Sequence, residues 1–77
     1  MKHILIVEDD TTFAVMLQTW LSKKKFSVAS VSGIAAAKKT LIESSVDLVL
    51  CDLRLPDGDG IDLLEWVNNR NVNVPLI

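Results

Sequence analysis

Apolar residues in the first third of the chain form one short run and one helical stripe. Residues 4–7 (ILIV) are a compact, mostly β-branched run, which is typical of a buried strand. Residues 12–24 follow with apolar positions at helical spacing, and Asp10 or Thr11 is placed to cap the helix that this spacing predicts. The predicted inner face of the helix consists of Phe13, Met16, Leu17, Trp20 and Leu21.

The middle of the chain repeats this alternation. Residues 26–31 show weak alternation of apolar and polar positions, which favours an edge strand. Ser32 is a candidate cap for a second helix that runs to about Ser44. Residues 47–51 are almost continuously apolar, which predicts a central parallel strand that is buried on both faces. The predicted inner positions of the second helix are Ile34, Ala37 and Leu41.

A third helix and a fourth strand are predicted after the segment rich in Pro and Gly. Asp59 can cap the helix, and residues 68–71 are expected to end it. Trp66 lies beside the predicted inner stripe and is expected to be half-buried. Residues 74–77 begin a strand in which proline occupies a tolerated early position. The inner stripe of the third helix is predicted to be Ile61, Leu64 and Val67.

The element order βαβαβαβ defines the fold class. Strict alternation predicts an α/β fold with a doubly wound parallel sheet, right-handed crossovers and helices on both faces. With 77 residues, this is one small domain at most. Ligands in such sheets bind beyond the carboxyl ends of the strands.

Composition narrows the function classes. A net charge of −2 gives no electrostatic basis for nucleic acid binding by this segment. No apolar run reaches the length of a membrane span, and no leader peptide is visible. Cys51 is the only cysteine, so it has no disulfide partner, and its apolar neighbours favour a thiol in the core. Together these features predict a cytoplasmic protein. His3 is expected at the surface. Residues 23–25 are all Lys and are expected to form the solvated C-terminal end of the first helix.

Carboxylates follow two of the predicted strands. Glu8, Asp9 and Asp10 come directly after the first strand, and Asp52 ends the third. If those strands are parallel neighbours, the acids meet at one edge of the sheet, where like charges destabilise one another unless a cation lies between them. Hard oxygen ligands without a His or Cys cluster favour Mg²⁺ or Mn²⁺. A carboxylate such as Asp52, held beside a metal, can act as a nucleophile toward a phosphoryl group.

The loop after Asp52 contains turn-forming residues. Pro56 and Gly58 are expected to shape this loop, and Gly60 to permit a tight entry into the third helix. The acids around Gly58 superficially suggest a calcium loop, but Ile61 and Asn68 occupy positions where an EF-hand needs ligands.

Two segments together resemble a known family. Residues 5–10 (LIVEDD) and 47–61 (DLVLCDLRLPDGDGI) are similar to the receiver domain of bacterial two-component response regulators, and the resemblance covers the whole chain. It implies a flavodoxin-like fold with strand order 2-1-3-4-5 in the complete domain. It also implies that Asp52 accepts a phosphoryl group from a sensor histidine kinase or a phosphotransfer protein. That phosphorylation would switch an output, typically transcription, in the full-length protein.

The resemblance also implies a metal site. Asp9 and Asp52 would ligate Mg²⁺ directly together with the backbone carbonyl of Arg54, and Glu8 would act through a water molecule. Asp10 matches a variable position of the family and is interpreted as a helix cap.

The chain departs from the family pattern at its C-terminal side. The family's switch Ser/Thr after strand four and Lys after strand five have no counterpart in this chain. Residues 1–77 therefore resemble the N-terminal two-thirds of a receiver domain. Because strand four would then be an unpaired edge, a companion segment, a swapped partner or a homo-oligomer is expected to complete the sheet.

Three other functions compete with this one. An aspartyl-nucleophile phosphatase typically needs a second acid where this chain has Arg54. A dinucleotide-binding domain needs a glycine-rich turn after strand one, where the acids would repel a pyrophosphate. A phosphorylation-independent pseudo-receiver that acts as a docking module is the remaining alternative. A phosphoacceptor that is not a turnover enzyme fits best.

Overall fold

The computed structural model describes residues 2–70 of the chain. These residues form a parallel sheet, a small hairpin and three helices. The elements are β1 (His3–Val7), α1 (Thr11–Lys23), β2 (Ser27–Val31), α2 (Ile34–Glu43), β3 (Leu48–Cys51), β4 (Arg54–Leu55), β5 (Gly58–Asp59) and α3 (Gly60–Asn69). Residues 74–77, the predicted fourth strand, lie outside the described residues.

The sheet has the predicted order of its first three strands. β1 lies between β2 and β3, and both pairs are parallel. Val7, the last residue of β1, is in register with Val31 of β2 and with Cys51 of β3. The doubly wound α/β architecture is therefore confirmed for the described residues.

Each face of β1 packs against different helices. Leu5 and Val7 belong to a buried cluster with residues of α2 and α3, whereas Ile4 and Ile6 pack with residues of α1. Because successive side chains of a strand point to opposite faces, this alternation places helices on both sides of the sheet. Burial of a side chain such as that of Leu5 contributes roughly 1.5–3 kcal/mol.

Among the described strands, β1 is the central one and β3 is a side strand. Val49 of β3 is fully buried on the face that α2 and α3 cover, but Leu48 and Leu50 on the α1 face are only half-buried. The prediction that strand three is buried on both faces is therefore not met within residues 2–70. None of the helices in this range has the length and apolar character that a bilayer crossing requires.

The inner face of α1 differs from the prediction. Ala14 and Leu21 are buried and Leu17 is half-buried, but Trp20 is 58% exposed, so its assignment to the core was wrong. Phe13 and Met16, also predicted to face inward, are exposed. The predicted stripe contains the largest apolar side chains of α1, but in the structure the small side chain of Ala14 lies against the sheet instead.

One hydrogen bond caps α1, and another joins it to the sheet. The N-cap is Asp10, whose carboxylate accepts a hydrogen bond from the Phe13 N–H at 3.1 Å, as the sequence predicted. The amide of Gln18 donates to the Val28 carbonyl of β2 at 3.3 Å. A polar residue thus points toward the sheet in α1, which apolar periodicity alone could not indicate.

The beginning of α2 also departs from the prediction. Its N-cap is Gly33 and not Ser32, and Gly33 has no side chain with which to cap the helix. Ile34 and Ala37 are buried and Leu41 is half-buried, so the inner face was predicted correctly.

α3 begins where predicted, but its inner face is displaced by one residue. Asp59 is the N-cap, and the Asp62 carboxylate accepts a hydrogen bond from the Asp59 N–H at 3.3 Å. Leu63 is buried, whereas Leu64 is 39% exposed. Gly60, Leu63 and Val67 form the buried stripe in place of Ile61, Leu64 and Val67.

Trp66 is half-buried as predicted and lies close to two cations. Its ring packs against the buried cluster that α2 and α3 share. The Lys38 ammonium lies 5.7 Å and the Arg70 guanidinium 5.0 Å from the ring centroid. Cations at this range are attracted to the ring by its quadrupole.

Candidate functional site

The parallel register brings the ends of β1 and β3 together. The Asp52 N–H donates to the Val7 carbonyl at 3.0 Å, which extends the pairing of the strands by one residue. On the other side of β1, the Glu8 N–H donates to the Val31 carbonyl at 3.0 Å. The backbone therefore holds the first acid after β1 and the first acid after β3 at the same edge of the sheet.

Three carboxylates meet at this edge. Glu8, Asp9 and Asp52 each offer one oxygen, and these oxygens all lie within 4.8 Å of one another. Glu8 is half-buried, and the other two are exposed. The Asp9 N–H donates to Glu8 Oε2 at 3.0 Å, which orients the Glu8 carboxylate. Asp10, the fourth acid of the sequence pattern, caps α1 instead.

The cluster has an electrostatic cost in the absence of a cation. Burial raises the pKa of Glu8 above its usual value, and the hydrogen bond and negative charge of Asp52 raise it further. Like charges at this distance disfavour ionisation of one another. A divalent cation between the carboxylates would reverse this effect, because it favours the ionised form of each.

The donor set fits Mg²⁺. The three residues present only carboxylate oxygens, the hard ligands that Mg²⁺ and Mn²⁺ prefer. Oxygens on opposite sides of one octahedral Mg²⁺ lie about 4.2 Å apart, given Mg–O distances of about 2.1 Å. A cluster within 4.8 Å therefore needs only small side-chain rotations to close around one ion or its bound water.

An apolar pocket of about 310 Å³ adjoins the acids on the α1 side of the sheet. Phe13, Leu17 and Leu50 contribute to its walls. Cys51 also lines this pocket and is half-buried, not fully buried as predicted. Burial and the charges of the neighbouring acids raise the pKa of the Cys51 thiol, so the thiol is protonated and a poor nucleophile at neutral pH.

The loop after Asp52 is a short hairpin, which the sequence did not predict. Arg54 pairs with Asp59, and Leu55 pairs with Gly58. Pro56 and Asp57 form the turn between the two strands. Arg54 is exposed and directly follows the residues that leave β3, so its backbone lies close to Asp52 along the chain.

Two glycines of this loop meet steric demands. Gly58 has a φ of 147°, a conformation that side chains other than glycine rarely adopt. A Cβ at Gly60 would lie 2.6 Å from the Asp52 carbonyl oxygen, so no side chain fits there. The Gly60 N–H also donates to the Leu53 carbonyl at 2.8 Å. α3 thus begins in direct contact with the segment that carries Asp52.

Asp57 has a contact that the sequence did not reveal. Its two carboxylate oxygens accept the Ile34 N–H at 2.7 Å and the Ala35 N–H at 2.9 Å. These hydrogen bonds lower the pKa of Asp57 below its usual value. The sequence offered Ser32 as a local cap, and nothing local identified a residue 23 positions away as the one that fills this role.

The comparisons with known proteins identify the family. Residues 4–77 match the family described as the response regulator receiver domain. The chain therefore belongs to the receiver domains of response regulators, the signal-receiving modules of two-component systems.

Individual relatives agree with this assignment. The chain is 38% identical to the transcriptional regulatory protein GltR of Pseudomonas aeruginosa over 90% of its own length, and 33% identical to the response regulator protein PilR of the same species over 97%. It covers 28% and 17% of those two proteins. The solved structure of the MaeR response regulator bound to beryllium trifluoride matches all of this chain with 42% identity and a TM-score of 0.93. The chain covers 65% of MaeR.

Proposed function

We propose that Asp52 is the phosphoacceptor of this receiver domain and that phosphorylation requires Mg²⁺. The observation that carries this proposal is the convergence of Glu8, Asp9 and Asp52 within 4.8 Å at the carboxyl edge of the parallel sheet. Asp52 directly follows β3, adjoins the pocket and is exposed, so a phosphoryl donor can reach its carboxylate from solvent.

Each residue has a distinct role in this proposal. Asp9, Asp52 and the backbone carbonyl of Arg54 would hold Mg²⁺, and Glu8 would bind through a water molecule. The metal supplies charge neutralisation for the oxygens of the transferring group. Asp52 attacks the phosphorus of a phosphohistidine, the new bond joins an Asp52 oxygen to phosphorus, and the phosphorus–nitrogen bond breaks as imidazole leaves.

The test is intact mass spectrometry after incubation of the full chain with acetyl phosphate. We expect the mass of one added phosphoryl group with Mg²⁺ and no addition with a chelator. Asp52→Asn should abolish the addition, because the amide is not a nucleophile. Asp47→Asn is the matched control, since Asp47 precedes β3 at the opposite edge of the sheet and its carboxylate accepts the His3 N–H at 2.7 Å.

Two results would count against the proposal. Phosphorylation of the Asp52→Asn variant would place the acceptor elsewhere. A complete lack of phosphorylation in the unsubstituted full-length protein, at Mg²⁺ concentrations that saturate metal binding, would favour a pseudo-receiver that acts only by docking.

The proposed partner class rests on the receiver family to which the chain belongs. A carboxylate that receives a phosphoryl group from histidine needs a sensor histidine kinase or a phosphotransfer protein as its donor. GltR is named a transcriptional regulatory protein, so control of transcription is the output that we propose for the full-length protein. Nucleic acid binding would then belong to an output domain outside residues 1–77, because the net charge of these residues is −2.

The wider setting of the protein stays a prediction. We propose a cytoplasmic phosphoacceptor that does not turn over a separate substrate, because Arg54 occupies the position where aspartyl phosphatases have a second acid. We also propose that residues 1–77 correspond to the N-terminal two-thirds of a receiver domain, and that the protein is a homo-oligomer or pairs with a companion segment.

A further inference from the structure

Asp57 connects two segments that are distant in sequence. It lies in the turn of the β4–β5 hairpin, and its carboxylate accepts hydrogen bonds from Ile34 and Ala35 at the start of α2. The first N–H groups of a helix lack partners within the helix, and a negative charge is favourable there. Asp57 therefore does for α2 what a local N-cap residue does for most helices.

The surrounding residues leave space for this contact. A Cβ at Gly33 would lie 2.9 Å from Asp57 Oδ1 and 3.1 Å from Oδ2. The backbone at Gly33 has a φ of −161°, which any residue can adopt, so the demand at this position is for space. A Cβ at Gly58 would in turn lie 2.8 Å from Ile34 Cδ1. The hairpin and the start of α2 thus touch through a carboxylate, through backbone and through an apolar side chain.

The hairpin is short, and besides this contact it is held by Leu55, which packs against the cluster that α2 and α3 share, and by the Asp59–Asp62 hydrogen bond. Each of its strands contains two residues, and isolated two-stranded hairpins are marginal in water. It also begins two residues after Asp52, at Arg54. A shift of the turn would therefore move the backbone between the phosphoacceptor and the start of α3.

We propose that Asp57 is a positioning residue of the phosphorylation site. By attaching the turn of the hairpin to α2, it holds the Asp52–Arg54 backbone in the arrangement that binds the metal. This inference rests on the proposed function of Asp52 and Arg54. It goes beyond that function because Asp57 touches neither the metal ligands nor the phosphoryl group.

The test must separate positioning of the loop from simple stabilisation of α2. Asp57→Ala removes both effects. In the double variant Gly33→Ser/Asp57→Ala, the introduced serine hydroxyl supplies a local N-cap, which restores the helix without attaching the loop. Removal of the Asp57 side chain also removes the atoms that a Cβ at position 33 would meet. Asp47→Ala is the control for loss of an exposed carboxylate that accepts a backbone N–H at the opposite edge of the sheet.

Three quantities are measured on the full chain. They are the Mg²⁺ dissociation constant by isothermal titration calorimetry, the melting temperature, and the hydrogen-exchange rate of the Gly60 amide, which bonds to the Leu53 carbonyl. The titrations are made at a temperature at which circular dichroism shows every variant to be folded.

We expect Asp57→Ala to weaken Mg²⁺ binding by about 3- to 10-fold, which is at or below the lower end of the roughly 10–100-fold typical of partners bonded directly to metal ligands. The double variant should keep this weak binding even where its melting temperature recovers, and Asp47→Ala should bind Mg²⁺ normally. Unchanged binding in Asp57→Ala, or binding that recovers in the double variant, would overturn the proposal.

Failure of the proposed function gives a different result. If the unsubstituted chain binds no Mg²⁺, the phosphoacceptor proposal fails, and Gly60 exchange alone decides whether Asp57 holds the loop. Faster exchange in both Asp57 variants supports the attachment, whereas exchange equal to that of the unsubstituted chain refutes it.

Discussion

Asp52 and Gly60 are in direct contact through their backbones, since a Cβ at position 60 would lie 2.6 Å from the Asp52 carbonyl oxygen. Gly60 is the first residue of α3, so the segment that carries Asp52 and the helix share one closely packed junction. A side chain at position 60 would collide with the backbone of that segment.

Gly60→Ala tests this junction. Alanine stabilises a helix relative to glycine by up to about 1 kcal/mol, so helix propensity alone predicts an increase in stability. We expect the opposite, a loss of about 1–3 kcal/mol with impaired Mg²⁺ binding, because the backbone atoms at Asp52 must move. Urea denaturation and calorimetry measure the two effects. Asn68→Ala, at an exposed position of the same helix, should be neutral or slightly stabilising. A stabilised Gly60→Ala protein would contradict the close contact.

The neighbouring leucines of α3 provide a matched pair. Leu63 is fully buried, whereas Leu64 is 39% exposed. Leu63→Ala should therefore reduce the free energy of unfolding by about 2–5 kcal/mol, and Leu64→Ala by clearly less, because only the first leaves a cavity in the core. Urea denaturation with both variants decides the matter. Equal losses would mean that α3 is rotated relative to the structure.

Lys25 offers a route to higher stability. It has a φ of 70°, and the bonds Lys25 N–H to Ser22 carbonyl and Phe26 N–H to Leu21 carbonyl form a Schellman motif at the end of α1. Lys25→Gly should stabilise the protein by about 1 kcal/mol, because glycine adopts this conformation without the steric cost of a Cβ. Lys24→Gly, at a φ of −86°, should destabilise it. Thermal unfolding of the two variants gives the comparison. A destabilised Lys25→Gly protein would argue against the left-handed backbone conformation of Lys25 at the end of α1.

The raised pKa of Glu8 predicts how metal and pH affect stability. Because burial and Asp52 raise this pKa in the folded state, protonation favours folding. The stabilisation is fully present below the usual value of 4.5 and is lost as pH rises through the higher folded-state value. At neutral pH, Glu8→Gln should therefore raise the melting temperature of the metal-free protein by an amount equivalent to at most about 1 kcal/mol, since the cluster is solvent-exposed.

The same variant should respond less to metal. A cation that binds only the folded state stabilises it by an amount that grows with the logarithm of its affinity, and Glu8→Gln removes one of the groups that we propose to contribute to Mg²⁺ binding. Melting temperatures with and without Mg²⁺ give the increment for each protein, with Glu43→Gln as a control at the far end of α2. An increment as large as that of the unsubstituted chain would exclude Glu8 from the metal site.

Asp57 predicts a pH effect of the opposite sign. Its pKa is lowered by the Ala35 and Ile34 N–H groups and, to a smaller extent, by the charge of Lys38. Its contribution to stability is present above the usual value of 3.8 and is lost as pH falls through the lower folded-state value. Asp57→Asn should thus be less stable than the unsubstituted protein at pH 7, and the difference should shrink in strong acid. Thermal unfolding across this range measures it, and a constant difference would show that the carboxylate charge has no part in capping α2.

Local sequence pattern predicted where the three helices and the strands of the sheet lie along the chain. It predicted less well which face of each helix is buried. The strand at residues 4–7 and the cap at Asp10 depend on neighbouring residues only, and both were predicted correctly. Trp20 and Leu64 were misassigned because helical spacing shows which residues share a face but does not show which face packs against the sheet. The choice of face depends on which small residue lies against the sheet, Ala14 in α1 and Gly60 in α3.

Sequence pattern alone predicted the alternation of the first three parallel strands with three helices and the convergence of Glu8, Asp9 and Asp52. Those features follow from local periodicity and from the rule that parallel strands share one carboxyl edge. The hairpin after Asp52, the buried faces of α1 and α3, and the capping of α2 by Asp57 from 23 residues away became visible only in the folded molecule. The physical reason is that packing and long-range hydrogen bonds depend on distances between elements, which no local pattern of residues contains.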